Sequence, residues 1–160
     1  MGTSQEAAVC KSISELRNLG HAMYEDFILR VRKARTSPEL SSQIRACRGY
    51  IELHLEEDLP LELLAQRAGY APFYLSRKFR QEMDCTVGEY IRFARVEQAK
   101  GLLQYSGESI HAIAARLRFC SSSYFSQTFQ QVTGLTPRQW REQEGRPFPP
   151  GAETTKRIPD

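Results

Sequence analysis

An internal repeat constrains the fold of this chain more than any other feature of its sequence. At an offset of 49 residues, Leu64-Ala65 aligns with Ile113-Ala114, and at an offset of 50, Tyr74-Leu75-Ser76 aligns with Tyr124-Phe125-Ser126. The matches at the larger offset continue through Phe79 with Phe129, Thr86 with Thr136 and Tyr90 with Trp140. Two copies of one unit in a single chain indicate a function that uses both copies.

Each copy predicts two short helices joined by a tight turn. In the first copy, Leu61, Leu64, Ala65 and Ala68 recur at helical spacing, and a turn at Gly69 precedes a helix with Leu75 and Phe79. The second copy repeats this pattern with Ile110, Ile113, Ala114 and Leu117, a turn from Arg118 to Ser121, and a helix with Phe125, Phe129 and Val132. The small alanine lets the two helices cross closely, as in a helix-turn-helix.

The remaining segments also show helical rather than strand periodicity. An opening helix carries Ile44, Cys47, Ile51 and Leu55, with Ser41 or Ser42 as its N-cap. The capping box Thr86-Val87-Gly88-Glu89 begins a helix that runs to about Leu103 and stops at Ser106-Gly107, and Thr136-Pro137-Arg138-Gln139 begins a last helix. The sequence therefore predicts an all-α fold, in which a long helix connects two helix-turn-helix subdomains and an extra amphipathic helix precedes them.

Two breaks, at Thr36-Ser37-Pro38 and at Gly145 to Pro150, divide the chain into three parts. Residues 1–40 are predicted to be a helical linker or packing segment, in which the capping box Ser12-Ile13-Ser14-Glu15 opens a stripe of Ile13, Leu16, Met23, Phe27 and Val31. Residues 41–145 are predicted to be the helical domain, with unit one at about 41–85, the connecting helix at about 86–104 and unit two at about 105–145. Residues 146–160 are predicted to be a disordered tail. Three roles stay open for the N-terminal helix: a linker, a dimerising coiled coil, or a helix packed on the domain.

The second helix of each copy has a polar face opposite its core face. At 100° per residue, Arg77 and Arg80 lie away from Leu75 and Phe79, and Lys78 lies on the flank. Guanidinium, hydroxyl and amide groups match what base edges and phosphates bind. The candidate DNA-contacting residues are Phe73, Ser76, Arg77 and Arg80 in the first copy, and Ser122, Ser123, Ser126 and Gln127 in the second. Because the second face carries no charge, we expect the first helix to make most base-specific contacts, led by a bidentate pair of Arg77 with a guanine.

The length of the connecting helix agrees with this interpretation. About 18 residues span roughly 27 Å, whereas successive major-groove segments on one face of B-DNA lie roughly 34 to 36 Å apart. The two lengths are compatible once the widths of the subdomains are added. We therefore expect the connecting helix to act as a stiff bridge that sets the spacing.

At these residues the sequence resembles the AraC/XylS family of bacterial transcription regulators over about residues 41–142. The second copy follows the family signature at Ser109-Ile110, Ala114, Phe119, Ser123-Tyr124-Phe125-Ser126, Phe129, Gly134, Thr136-Pro137 and Arg141. The first copy fits at Leu64-Ala65, Gly69-Tyr70, Tyr74 to Arg77, Phe79 and Tyr90-Ile91, and the connecting helix fits at Arg95, Ala99 and Leu102-Leu103. The chain departs from the family at Arg118 and Asp84, where glycines are usual, and at Gln130-Gln131, where a basic pair is common.

The resemblance implies a two-unit DNA-binding domain that places both recognition helices in adjacent major-groove segments of an asymmetric promoter. It further implies contact with RNA polymerase and a separate effector or dimerisation domain. Forty residues before the domain cannot build the family's ligand-binding barrel, so the chain is either part of a longer regulator or a short member of the family. The expected function is that of a sequence-specific transcription regulator, more an activator than a repressor, bound to double-stranded promoter DNA in the cytoplasm.

Other functions have less support in the sequence. The net charge of +3 and pI of 8.7 permit a polyanionic partner without requiring one. Neither a catalytic motif nor a cofactor motif occurs, the three histidines lie far apart, and the four cysteines form no metal-binding pair and are expected to be buried thiols. No apolar run is long enough to span a membrane. The main alternative is a helical protein-interaction module without DNA contact, which the polar outward faces disfavour.

Overall fold

The computed structural model describes residues 25–37 and 39–144 of the chain. These residues form eight helices and no strand, which confirms the predicted all-α fold. The helices are α1 (25–35 within the described range), α2 (Ser42–Leu53), α3 (Leu61–Ala68), α4 (Pro72–Met83), α5 (Val87–Tyr105), α6 (Ile110–Arg116), α7 (Ser122–Thr133) and α8 (Pro137–Glu144). The predicted capping box at residues 12–15, the apolar positions Ile13, Leu16 and Met23, and the predicted tail at 146–160 lie outside the described residues.

Capping boxes form at the N-termini of α5 and α8, at the predicted start residues Thr86 and Thr136. The hydroxyl of Thr86 accepts a hydrogen bond from the Glu89 backbone at 3.2 Å, and the Glu89 carboxylate accepts one from the Thr86 backbone at 2.8 Å. Thr136 and Gln139 repeat this exchange at 3.2 and 3.0 Å. The connecting helix α5 continues two residues beyond the predicted Leu103, because its end is set by Ser106, whose hydroxyl donates to the Leu102 carbonyl at 2.7 Å.

Left-handed residues end the paired helices of both units. Gly69 after α3 has φ 72° and its counterpart Arg118 after α6 has φ 60°. Asp84 after α4 has φ 57° and its counterpart Gly134 after α7 has φ 79°. Arg118 and Asp84, which stand where glycines are usual in the family, therefore adopt the same left-handed conformation as the glycines at the equivalent positions of the other unit. A residue with a Cβ is strained at positive φ, and an arginine tolerates it less well than an aspartate.

The repeat recurs in the packing of the core. Phe79 on α4 meets the ring of Tyr90 on α5 edge-on, with centroids 5.7 Å apart. Phe129 on α7 meets Trp140 on α8 in the same way, at 5.8 Å. Both phenylalanines are fully buried, and so are the small residues Ala65 and Ala114 on the first helix of each unit. Helices α4 and α7 are thus anchored by equivalent aromatic contacts.

Residues 25–35 of α1 pack against unit one and the connecting helix. Val31 is fully buried, and Phe27 meets Phe93 of α5 edge-on at 6.2 Å. Two ion pairs hold the polar side of this helix, from Arg30 to Asp84 at 3.3 Å and from Arg35 to Glu52 at 2.8 Å. Of the three roles that the sequence left open for the N-terminal helix, the described part of it has the contacts of a helix packed on the domain.

Candidate nucleic-acid interface

Helix α4 presents the polar face that its sequence predicts. It begins at Pro72, whose missing N–H has no consequence in the first turn of a helix. Leu75 and Phe79 are fully buried on the core side. On the opposite side the ring of Phe73 is 74% exposed, the side chains of Arg77 and Arg80 are exposed, and Ser76 is half-buried.

Arg77 and Arg80 project beside a shallow surface concavity between α4 and the start of α5. The guanidinium of Arg77 lies 5.9 Å from the centroid of the Phe73 ring, a cation–π distance that favours one orientation of a long side chain. The concavity of about 480 Å³ is also lined by Ser76, Thr86 and Gly88. Within the described residues neither arginine takes part in an ion pair, so both charges face solvent.

The charge of Lys78, which the sequence places on the flank of α4, is paired within the helix. Its ammonium pairs with the Glu82 carboxylate one turn later at 3.0 Å, and the hydrogen bond and negative charge of Glu82 raise the pKa of Lys78. Burial by itself would raise the pKa of Glu82, but hydrogen bonds from Ser41 and Lys78 together lower it. The pair cancels one positive charge on the flank, and the positive charge of the outward face rests on Arg77 and Arg80.

Helix α7 presents an uncharged counterpart. Its N-cap is Ser121, whose hydroxyl accepts a hydrogen bond from the Tyr124 backbone at 3.0 Å. Ser123 and Gln127 are exposed, whereas Ser122 and Ser126 are half-buried. The hydroxyl of Ser122 is hydrogen-bonded to the His111 ring of α6 at 3.0 Å, so this candidate residue also ties the two helices of unit two together. The remaining groups on the face are hydroxyls and amides.

Two tyrosines that were not among the predicted DNA-contacting residues also lie on this surface. Tyr74 is 51% exposed on α4, and its counterpart Tyr124 is 37% exposed on α7. Each ring packs on the aromatic residue that ends the preceding turn, Tyr70 at 4.9 Å and Phe119 at 6.1 Å. Arg92 of α5 donates a hydrogen bond to the Tyr124 hydroxyl at 3.2 Å. The sequence signal that could have identified them is an aromatic residue at equivalent positions of both copies, next to the polar face of each helix.

Two arginines, one for each unit, hold the backbone that precedes the first helix of the helix-turn-helix pair. Arg95 on α5 donates to the carbonyls of Leu55 at 3.1 Å and Glu57 at 2.9 Å, directly before α3. Arg141 on α8 donates to the carbonyl of Leu103 at 3.2 Å and to that of Glu108, before α6. Burial lowers the pKa of Arg95. The planar guanidinium groups of Arg95 and Arg141 thus fix the segment before α3 relative to α5 and the segment before α6 relative to α8.

The cysteines are only partly as expected. Cys47 and Cys85 are buried, and burial raises the pKa of Cys47 to about 11 and that of Cys85 to about 12. Cys120 is exposed in the turn before α7, which corrects the expectation that all the thiols are buried. Among residues 25–37 and 39–144, no cluster of His, Cys, Asp and Glu could hold a metal ion, and no helix is long and apolar enough to cross a membrane.

Comparisons with known proteins agree with this geometry. A family profile described as "Helix-turn-helix domain" matches residues 64–143, half of the chain. An uncharacterised HTH-type transcriptional regulator of Staphylococcus aureus is 38% identical over 92 residues, which are 58% of this chain and 12% of that protein. The chain therefore corresponds to only a small part of the length of this relative.

Two solved structures are similar over most of the domain. One is a transcriptional regulator with an AraC-type DNA-binding domain from Chromobacterium violaceum, with 28% identity, a TM-score of 0.62, and 66% of this chain and 95% of that chain covered. The other is the DNA-binding domain of the global transcriptional factor AdpA in complex with a target DNA, with 27% identity, a TM-score of 0.60, and 64% and 92% covered.

Proposed function

The chain belongs to the AraC-type family of helix-turn-helix DNA-binding domains, and from this premise we propose that α4 and α7 read two successive major-groove segments of a promoter. The observation that carries the proposal is the repetition of a polar outward face on two helices that are anchored alike, at Phe79–Tyr90 and Phe129–Trp140. The 19 residues of α5 between the units span roughly 28 Å. This length supports simultaneous docking of both helices on one face of the duplex.

Helix α4 is proposed to supply most of the specificity. Arg77 is exposed, carries no ion pair in the described part of the chain, and lies over Phe73, so its guanidinium can present two parallel donors to a guanine. Arg80 lies one turn nearer the start of α5 and is proposed to contact a phosphate. Phe73 offers an apolar surface to a thymine methyl group, and Ser76 offers a hydroxyl.

Helix α7 is proposed to make weaker, neutral contacts. Ser123, Ser126 and Gln127 offer hydroxyl and amide groups to base edges and backbone, and Ser122 contributes while bound to His111. Because none of these groups is charged, their contacts with DNA neutralise no phosphate and release no counterion. The affinity that α7 contributes should therefore depend little on salt.

We also propose a regulatory role, which rests on the family resemblance alone. The chain is proposed to act in the cytoplasm as an activator that contacts RNA polymerase, within a regulator whose effector or dimerisation domain lies elsewhere. A promoter that carries the selected site, fused to a reporter, tests this directly. Increased transcription in the presence of the protein supports activation, and decreased transcription contradicts it.

Selection from random duplex DNA with the full chain, at low salt, tests the function and identifies the site. We expect recovery of duplexes with two conserved half-sites, and an affinity for them that falls as salt rises. Arg80→Ala should weaken binding to all sequences about equally and reduce the salt slope by about 1, whereas Gln127→Ala should leave the slope unchanged. Failure to retain any duplex would contradict DNA reading and favour a protein-interaction module.

A further inference from the structure

Three arginines from α5 and unit two converge on the loop between α2 and α3 in unit one. Arg95 donates to the carbonyls of Leu55 and Glu57, as described above. Arg116 on α6 donates to the Glu56 carboxylate at 2.7 Å, and Arg118 in the turn after α6 donates to the Asp58 carboxylate at 2.7 Å. Four consecutive residues of this loop are thus held by side chains from outside unit one.

The pairs Glu56–Arg116 and Asp58–Arg118 cross directly from one helix-turn-helix unit to the other. The main helix packing between the units runs through α5, on which α2 and α4 of unit one and α6, α7 and α8 of unit two all pack. Within the described ranges, these are the two ion pairs that join the units without passing through α5. We call these four side chains the inter-unit link.

The arginine side of the link attaches to the parts of unit two that position its recognition helix. Arg118 occupies the left-handed turn between α6 and α7, where its counterpart in unit one is Gly69, which has no side chain. Arg116 also pairs with Glu108, at 2.6 Å, in the segment that leads into α6. The same carboxylate of Glu56 accepts a hydrogen bond from Gln98 of α5 at 3.4 Å. The link therefore joins the loop of unit one to the C-terminal end of α6, and Arg116 connects it further to Glu108 before the helix.

We propose that the inter-unit link fixes the rotation of unit two relative to unit one, and thereby selects the half-site spacing that the domain accepts. This inference rests on the proposed reading of two half-sites. The packing of both units on α5 sets their distance, and the two ion pairs add contacts away from the helix axis that further restrict rotation about it. Glu56, Arg116 and Arg118 are each less than half exposed, whereas Asp58 is 79% exposed, so salt should weaken the Asp58 pair most.

The test compares Glu56→Gln/Asp58→Asn with the control Glu57→Gln. Glu57 lies between the two, is exposed like them, and its carboxylate makes no ion pair within the described residues, so the control removes one charge from the same loop and leaves the link intact. Affinities of the full chain are measured for the selected duplex and for duplexes with one base pair inserted or deleted between the half-sites. Discrimination between the correct and altered spacings should fall about threefold to tenfold in the double variant and should not change in the control.

A second measurement on the DNA-free chain separates this inference from the proposed function. Residual dipolar couplings of amides in α4 and α7 should fit one common alignment tensor in the wild type and in Glu57→Gln, but two different tensors in the double variant. The charge-reversed pair Asp58→Arg/Arg118→Asp should restore a common tensor relative to Asp58→Arg alone. If the wild type binds no duplex, the proposed function fails while the couplings still test the link. If the double variant keeps both its spacing discrimination and a common tensor, the proposed role of the link is overturned.

Discussion

Ser41 donates two hydrogen bonds to the carboxylate of Glu82, one from its backbone N–H and one from its hydroxyl, each at 2.9 Å. Ser41 occupies the predicted N-cap position of α2, but its hydroxyl is used for this contact and does not cap the helix. Glu82 lies in the last turn of α4 and also pairs with Lys78. The contact therefore ties the end of α4 to the start of the domain.

Replacing Glu82 with glutamine should destabilise the domain in a pH-dependent way. The variant keeps an acceptor for Ser41 but loses the charge, and we expect a loss of about 1 to 2 kcal/mol in the free energy of unfolding at pH 7. Because folding lowers the pKa of Glu82, its stabilisation is complete above the ordinary glutamate pKa of about 4.3 and is lost as the pH falls through the lowered value. Urea unfolding between pH 7 and pH 3 measures this.

The control for this experiment is Glu57→Gln, which removes an exposed carboxylate that has no ion pair in the described part of the chain. Its difference from the wild type should stay within about 0.5 kcal/mol at every pH. A Glu82→Gln difference as large at pH 3 as at pH 7 would show that the charge of Glu82 does not stabilise the fold.

Arg77→Ala should reduce binding at one base position of the selected site. Loss of a bidentate contact to guanine should raise the free energy of binding by about 1 to 3 kcal/mol and relax the preference at that position. Affinities for the four single-base variants of the site measure both effects. Arg32→Ala on α1 removes an exposed arginine outside α4 and α7 and should leave the base preference unchanged. An unaltered preference for Arg77→Ala would remove Arg77 from the reading residues.

Arg118→Gly should be more stable than Arg118→Ala by about 1 kcal/mol. Both variants lose the ion pair with Asp58, so the difference between them isolates the backbone, which has φ 60° at this position. Glycine adopts this conformation without the steric penalty of a Cβ. Urea midpoints of the two variants measure the difference, and equal midpoints would mean that residue 118 has no left-handed strain in solution.

Val31→Ala should lower the free energy of unfolding by roughly 2 kcal/mol, because Val31 is fully buried between α1 and the domain. Leu29→Ala is the matched control on the same helix, since Leu29 is 65% exposed, and it should change stability by less than about 0.5 kcal/mol. Thermal or urea unfolding of both variants measures this. If both changes have the same small effect, α1 is not part of the core in solution.

The features that follow from local chemistry could be predicted from the sequence. The capping boxes at Thr86 and Thr136 depend on residues three positions apart, and the opposite faces of α4 depend on helical periodicity. The repeat also indicated which aromatic residues would make equivalent contacts, as Tyr90 does with Phe79 and Trp140 with Phe129. These are short-range or internally repeated signals, and a single sequence contains them in full.

Contacts between distant segments could not be predicted in this way. Ser41 and Glu82 lie 41 positions apart, and Glu56 and Arg116 lie 60 apart, so no spacing rule relates them. Lys78 and Glu82 have the spacing of a helical ion pair, but whether they pair or face DNA depends on where Ser41 places the carboxylate. The tertiary structure, and not the sequence alone, therefore determines which charges on α4 face solvent.

Hydroxyl-radical footprinting of the full chain on the selected duplex tests the central claim most directly. If α4 and α7 read successive major-groove segments, two protected stretches should lie on one face of the duplex, with centres about 10 to 10.5 base pairs apart. The stretch read by α4 should weaken in Arg77→Ala and the other should persist. A single protected stretch, or two stretches on opposite faces of the duplex, would contradict the reading of DNA by two helices.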